Sequence, residues 1–450
     1  MPLIQSRLRA VIVAAFIGGL STGVTSAFSQ SAPPAPGGDP AAGQDQPAPA
    51  PQDAQISPEE LKRQLDLLAA EVEQLRSGER TTGEALTPEQ RQHLGLGPSA
   101  AAVYERTSGV SFAGYGEMVF QRLAPTDQRG TPRGADASID LLRAVLYMGY
   151  RFNDRFLFNS EIEFEHGGDE VSVEFAYLEY RVNRHLSLRG GNLLVPLGLV
   201  NEVHEPNVRI GTRRPETEQR LIPSTWHENG AGVVGTAGVL TFRAYAVNGL
   251  NAAGFSAAGI RGGRQRGAEA MVNDWAFAGR ADVTPMPGVI GGMGLYRGNS
   301  GQRQFDHTTA GTTIVEGHAQ VQIRGLDIRG LLARASVNQA AELNAALGLT
   351  GSQSMGEAMV GGYGQIAYNL LSQRSTPLSI APFYRFETLN TQHAVPAGFL
   401  ADPARQLRFN VVGIELKPIA NIVVKADYQF TSNKARSGRD QFNVALGYAF

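Results

Sequence analysis

The 450-residue chain contains no cysteine. That absence removes disulfides, thiolate metal sites and cysteine nucleophiles together. Past its N-terminus the chain also lacks any apolar run of the roughly 20 residues that a transmembrane helix requires, although 42% of its residues are hydrophobic. Neither sign of charge is in excess. Lys and Arg number 40 against 42 Asp and Glu, a formal net charge of −2. Such a balance gives no reason to expect a nucleic-acid partner.

What the chain does contain begins with an export signal. In residues 1–27, Arg7 and Arg9 precede a short apolar core that ends near small residues suited to cleavage. Residues 28–56 are rich in Pro, Ala, Gly and Gln and have almost nothing to bury, which predicts a disordered linker. Ser57-Pro58-Glu59-Glu60 then supplies an N-cap, a proline at the first helical position and acids at the positive helix end. Leu61, Leu65, Leu68, Val72 and Leu75 follow at heptad spacing, so residues 57–78 are expected to form a short coiled-coil helix. Residues 79–108 are expected to be a second linker, with a short helix beginning at Thr87-Pro88-Glu89.

From Gly109 the hydrophobic period changes to two. In residues 155–166, Phe156, Phe158, Ile162 and Phe164 alternate with Asn159, Glu161, Glu163 and Glu165. In residues 422–431, Ile422, Val424, Ala426, Tyr428 and Phe430 alternate with Lys425, Asp427 and Gln429. Each such strand has one apolar and one polar face. Sixteen segments of this kind run from 110–121 to 440–450, one of them spanning 312–324. Turns of a few residues alternate between them with long polar connections. That asymmetry predicts an all-β fold, a closed antiparallel transmembrane barrel of about 16 strands over residues 109–450. In lipid every backbone group must pair within the barrel. An Arg or Lys at mid-depth on the lipid face would cost roughly 2–4 kcal/mol. Polar-face residues are therefore expected on the pore wall: Glu161, Glu163, Arg243, Arg280, Arg324, Arg385, Lys425 and Asp427. The expected location is the outer membrane of a Gram-negative bacterium, with the N-terminal region in the periplasm and outer-membrane lipid around the barrel.

The last strand alternates to the final residue, Phe450. This resembles the terminal signature by which the outer-membrane assembly machinery recognises its clients. Phe112-Ala-Gly-Tyr-Gly-Glu117, the stretch 149–165 (GYRFNDRFLFNSEIEFE), Ala176-Tyr-Leu-Glu-Tyr180 and Gly191-Asn-Leu-Leu-Val-Pro-Leu-Gly198 resemble the phosphate-selective porin O and P family. Asn201-Glu-Val-His-Glu-Pro206 and Ile222-Pro-Ser-Thr-Trp226 continue the likeness. The resemblance implies a homotrimer of sixteen-stranded channels with the third long loop folded into the lumen, and the coiled-coil helix is an addition found in some relatives. It also implies a lysine cluster, but this barrel carries only Lys417, Lys425 and Lys434. Only the arginine part of an anion ladder could survive.

The long break at residues 196–229 is the expected constriction loop. Its charged residues include Glu202, Glu205, Arg209, Arg213, Arg214, Glu216, Glu218 and Arg220, and Glu216 and Glu218 are placed to neutralise Arg214 and Arg220. A break of that length inside a compact domain is functional or disordered. Chemistry of other kinds finds no pattern. His204-Glu205 and His227-Glu228 lack a second histidine four residues on, so the zinc-protease motif is absent, and no metal or cofactor is expected. The reading is a porin, not an enzyme, passing small hydrophilic solutes with a preference for anions such as phosphate. Two alternatives are a tether to the cell wall through residues 57–78 and an outer-membrane hydrolase.

Overall fold

The structure, a computed structural model, describes Arg63, residues 85–134 and residues 136–450. The expected signal (1–27), linker (28–56) and, apart from Arg63, heptad helix (57–78) lie outside the described residues.

Sixteen strands form one closed antiparallel barrel in which each strand pairs with its neighbours in sequence. They are β1 (Gly109–Leu123), β2 (Ala137–Arg151), β3 (Phe156–Glu165), β4 (Glu170–Asn183), β5 (Leu186–Leu194), β6 (His227–Ala237), β7 (Leu240–Asn248) and β8 (Trp275–Met286). The second half comprises β9 (Val289–Gly298), β10 (Thr312–Ile323), β11 (Leu326–Val337), β12 (Ala358–Tyr368), β13 (Ser379–Ala394), β14 (Gln406–Ile419), β15 (Ile422–Asn433) and β16 (Gln441–Ala449). β16 pairs with β1 to close the ring, and Gly114 and Phe450 exchange two backbone hydrogen bonds of 2.9 Å at the seam. The terminal residue thus belongs to the ladder, and no sheet edge is left.

Alternation sorts the side chains as period two requires. Phe112 (72% exposed) and Leu332 (73%) stand on the outer face, while Glu117, Glu163, Arg243, Arg385 and Lys425 are buried inside. Exposed apolar groups around buried charge invert the order of a soluble protein, and lipid is the solvent that makes the inversion favourable. Arg324 departs from the expectation. It lies in the β10–β11 turn and not on the wall, because Arg324 and Gly325 take φ of 51° and 87°. A two-residue hairpin with both residues left-handed matches the twist of the flanking strands and ends β10 one residue early.

The stretch expected as a linker at residues 79–108 is, from residue 85, packed inside the barrel. Helix α1 (Pro88–Leu94) begins with a reciprocal cap. The Thr87 N–H donates to Gln90 Oε1 (2.8 Å), and the Gln90 N–H donates to Thr87 Oγ1 (3.2 Å). Leu96, Ala100, Ala101, Val103 and Tyr104 are then buried in one cluster with the lumenal aromatics Tyr115, Tyr147, Phe175 and Tyr177. Tyr104 donates to Glu179 Oε2 (2.7 Å), and Asn159 Nδ2 donates to the Ala100 carbonyl (2.9 Å). Gly149 on β2 permits the contact, since a Cβ there would collide with Val103. Few apolar residues without a regular period carry this packing, which is why composition alone suggested a linker.

Candidate functional site

The third long connection, residues 195–226 between β5 and β6, crosses the lumen. Its neck is closed by Asn201, whose Nδ2 donates to the Val195 and Trp226 carbonyls (2.7 and 2.9 Å) and whose Oδ1 accepts from the Trp226 N–H (2.8 Å). Trp226 is fully buried against Tyr296, with ring centroids 4.8 Å apart. The four prolines of the loop deny it regular structure, so its backbone polar groups need partners from elsewhere. Wall residues supply many of them.

On the far wall, Thr212 donates through both N–H and hydroxyl to Asp427 Oδ2 (2.7 Å each), and the Gly211 N–H donates to Glu415 Oε1 (3.0 Å). Lys425 Nζ donates to the Arg209 and Gly211 carbonyls (2.7 and 3.1 Å) and pairs with Glu415 (3.5 Å). Gly211 sits at φ 81°, a left-handed position that suits glycine and lets one residue meet two wall groups. Arg385 donates to the Arg213 carbonyl (3.1 Å), Arg329 to the Val208 carbonyl (3.1 Å) and Arg280 to the Gly198 carbonyl. Arg209 forms an ion pair with Glu117 on β1.

The cations expected on the pore wall are therefore largely engaged. Arg243 pairs with Glu202 (2.8 Å) and Asp282 (3.1 Å), while Arg280 pairs with Asp282 (2.8 Å) and Glu202 (3.6 Å). Two loop acids act as anchors. Glu205 accepts from the Ser99 and Ala100 N–H groups (2.9 and 3.3 Å) and the Ser99 hydroxyl (3.1 Å), joining the loop to the N-terminal segment. Burial pushes the Glu205 carboxyl up to about 7. Glu218, in the single-turn helix α2 (Thr217–Arg220), accepts from the Leu199 and Val200 N–H groups (2.7 Å each) and the Tyr363 hydroxyl (2.5 Å). Its carboxyl is raised above the ordinary range by burial. Glu218 thus does not neutralise Arg220. Glu216 does, pairing with Arg220 (2.8 Å) and Arg213 (3.2 Å).

Beyond the loop, toward the long-connection end, lies a cavity of about 190 Å³ lined by Arg143, Arg209, Arg213, Arg214, Arg261 and Arg266 against Glu163, Glu165 and Glu174. Arg143 is matched by Glu163 (3.0 Å), and Arg209 and Arg213 are matched as described. Among the described residues, Arg214, Arg261 and Arg266 have no ion pair, and Arg214 has a buried guanidinium nitrogen without a hydrogen-bond partner. Burial lowers Arg214, with Arg143 adding to the effect. Burial and the nearby Arg214 bring Arg261 down to about 10, and burial with Arg261 brings Arg264 to about 9. Arg261 and Arg264 come from the fourth long connection, where both donate to the Ser224 carbonyl (2.8 Å each). Sequence reasoning passed over them. The signal was the run Arg261-Gly-Gly-Arg264-Gln-Arg266, three arginines in six residues without an acid.

A second cluster joins loop and wall. His204 Nε2 lies 3.2 Å from Glu161 Oε1 on β3 and 3.1 Å from Glu174 Oε2 on β4, and its Nδ1 lies 3.0 Å from the Asn201 carbonyl. Against the opposing effect of burial, the two carboxylates raise His204 to about 10. Glu174 was not anticipated from sequence either.

No protein-family model matches the chain. An "Uncharacterized protein" of Aquifex aeolicus (strain VF5) is 35% identical over 384 residues, which span 82% of this chain and 86% of that one. Among solved structures, the barrel is similar to an anion-selective porin from Comamonas acidovorans, with 10% identity, a TM-score of 0.50, and coverage of 76% of this chain and 100% of that one. It is also similar to OmpF of Salmonella typhi in complex with daunomycin, with 14% identity, a TM-score of 0.50, and coverage of 76% and 98%. Identities this low speak to fold alone. The fold is that of outer-membrane porins, and the chain belongs to the same family as the Aquifex aeolicus protein.

Proposed function

We propose that the chain is an outer-membrane channel for passive diffusion of small hydrophilic solutes, not an enzyme, with a preference for small anions such as phosphate. The observation that carries the anion preference is the cavity above the third loop, where six arginines face three glutamates and three of the arginines have no ion pair among the described residues. Guanidinium groups stay charged across the physiological range and bind oxyanions through a planar fork. In a narrow passage walled by low-dielectric protein, their field is focused on the permeating ion. The short-turn end faces the periplasm in this reading, and the protomers assemble as trimers, as in the phosphate-selective porin O and P family that the sequence resembles. Reconstitution into a planar bilayer tests the channel directly. Discrete conductance steps are expected, and a reconstituted barrel that leaves the bilayer electrically silent would refute it.

One observation favours a second role alongside the first. Glu205, Glu179, Asn159 and Arg151 fasten residues 99–104 inside the barrel, which gives the chain entering it a firmly held base. A tether between outer membrane and cell wall needs such a base. Removing residues 28–84 should abolish the tether and leave conductance intact.

A further inference from the structure

The cluster of Glu161, Glu174 and His204 owes its existence to an irregularity in the sheet. Along β3 and β4, Glu161 pairs with Phe175 and Ile162 with Val173, which leaves Glu174 as an extra residue on β4. A bulge of this kind re-aims a side chain. Here it lets the consecutive residues Glu174 and Phe175 both turn inward, each buried, while Val173 and Leu178 on either side stand on the outer face. The bulge therefore brings a second carboxylate beside Glu161, directly under the histidine of the loop.

The donor atoms of the three residues lie within 4.8 Å of one another. Two ligands of one tetrahedral ion with bonds of about 2.0–2.1 Å stand roughly 3.3 Å apart. The separations of 3.1 and 3.2 Å from His204 Nε2 to the two carboxylates are close to that value. The surroundings are those of metal ligands as well. The Asn201 carbonyl faces His204 Nδ1 at 3.0 Å and fixes a proton there, so Nε2 is the nitrogen that would give up its proton to an incoming ion. The Tyr147 hydroxyl donates to Glu161 Oε1 (3.2 Å) and holds that carboxylate in place.

The observation that points to an occupant is the unmet capacity of the acids. Glu161 Oε2 and Glu174 Oε2 are buried without a well-aligned hydrogen bond, and Glu174 Oε2 is the atom that faces His204 Nε2. One N–H cannot be aimed at two carboxylates at once. A divalent cation satisfies both, and its charge cancels that of the pair when the imidazole is neutral. Glu174 also lines the arginine cavity, which gives an ion a route from solvent. One imidazole with two carboxylates suits a transition metal, since calcium and magnesium prefer six or more oxygens.

We propose that Glu161, Glu174 and His204 form a binding site for one divalent transition-metal ion, which fastens the third loop to the barrel wall. The site is independent of what the channel conducts. The test uses the full-length protein in detergent, with its fold checked by heat-modifiable migration, stripped with a chelator and titrated with zinc. One zinc per chain is expected. His204→Gln and Glu174→Gln should each weaken binding by roughly 100-fold or more, while His307→Gln leaves it unchanged. X-ray absorption at the zinc edge of the loaded wild type does not depend on any variant, and it should show oxygen ligands with a single imidazole. A wild type that binds no zinc, a Glu174→Gln protein that binds as tightly as wild type, or a shell with two or more imidazoles would each overturn the proposal.

Discussion

Arg280 and Arg214 carry the same side chain in the same lumen and meet opposite surroundings. Arg280 rises from β8 among Asp282, Glu202 and the Gly198 carbonyl, so its charge is consumed in holding the loop. Arg214, on the loop itself, has no ion pair among the described residues and lies near Arg143 and Arg209. Position within the lumen decides what an arginine does. Those on the wall are opposed by carboxylates of neighbouring strands, as Glu415 opposes Lys425 across β14 and β15. Of those contributed by long connections, Arg209 is met by Glu117 on β1 and Arg213 and Arg220 by Glu216 of the loop itself, whereas Arg214, Arg261 and Arg266 have no ion pair among the described residues. The first set supports the constriction. The three without an ion pair are left to attract solute.

Removing a member of each set separates the two roles most sharply. Arg280→Ala strands Glu202 and Asp282 with fewer counter-charges in a buried site, so a loss of about 3–5 kcal/mol is expected from the cost of an unpaired buried charge. Arg214→Ala breaks no ion pair and should change stability by less than about 0.5 kcal/mol. Urea unfolding in lipid vesicles, followed by tryptophan fluorescence, measures both. Equal losses would erase the distinction.

A smaller effect is expected at the neck of the loop. Asn201→Ala removes one acceptor and two donors that tie Val195 to Trp226, at a cost of about 1–3 kcal/mol for the groups left unsatisfied. Single-channel records of this variant should be noisier than wild type, because the loop gains freedom at its base. Quiet records identical to wild type would show that the wall contacts alone hold it.

How far these roles could be read in advance differs between the two sets. Period-two alternation assigns the apolar face of β3 or β15 to lipid, and Glu163 and Lys425 on the other face are buried. It says nothing about whether an inward charge is free or paired, because pairing depends on cross-strand register and on where the loop lies. Glu174 escaped notice for a related reason. A bulge shifts the parity of alternation, visible in hindsight as Val173 and Leu178 facing outward five residues apart. The lumenal segment 96–104 was missed because its apolar residues follow no period, so only tertiary contact reveals their use. Arg324 was misplaced by one residue, where a left-handed turn overrides the strand pattern.

The smallest effect is a pH dependence. Burial holds the Glu218 carboxyl above its ordinary range, and the nearby Glu316 pushes the same way. A raised acid contributes stability that is complete below its unfolded value and is lost as pH rises through the folded one. The urea midpoint of wild type should therefore fall, as pH rises above the ordinary carboxylate range, by more than that of Glu218→Gln. Parallel profiles for the two proteins would show that Glu218 does not titrate in this way.

The reversal potential in a planar bilayer under a salt gradient bears most directly on the separation of supporting from attracting arginines. Wild type should be anion-selective. Arg214→Ala together with Arg266→Ala should lower the anion-to-cation permeability ratio by about fivefold, the equivalent of about 1 kcal/mol for charges screened by water. A cation-selective wild type, or a ratio untouched by the double substitution, would contradict the account.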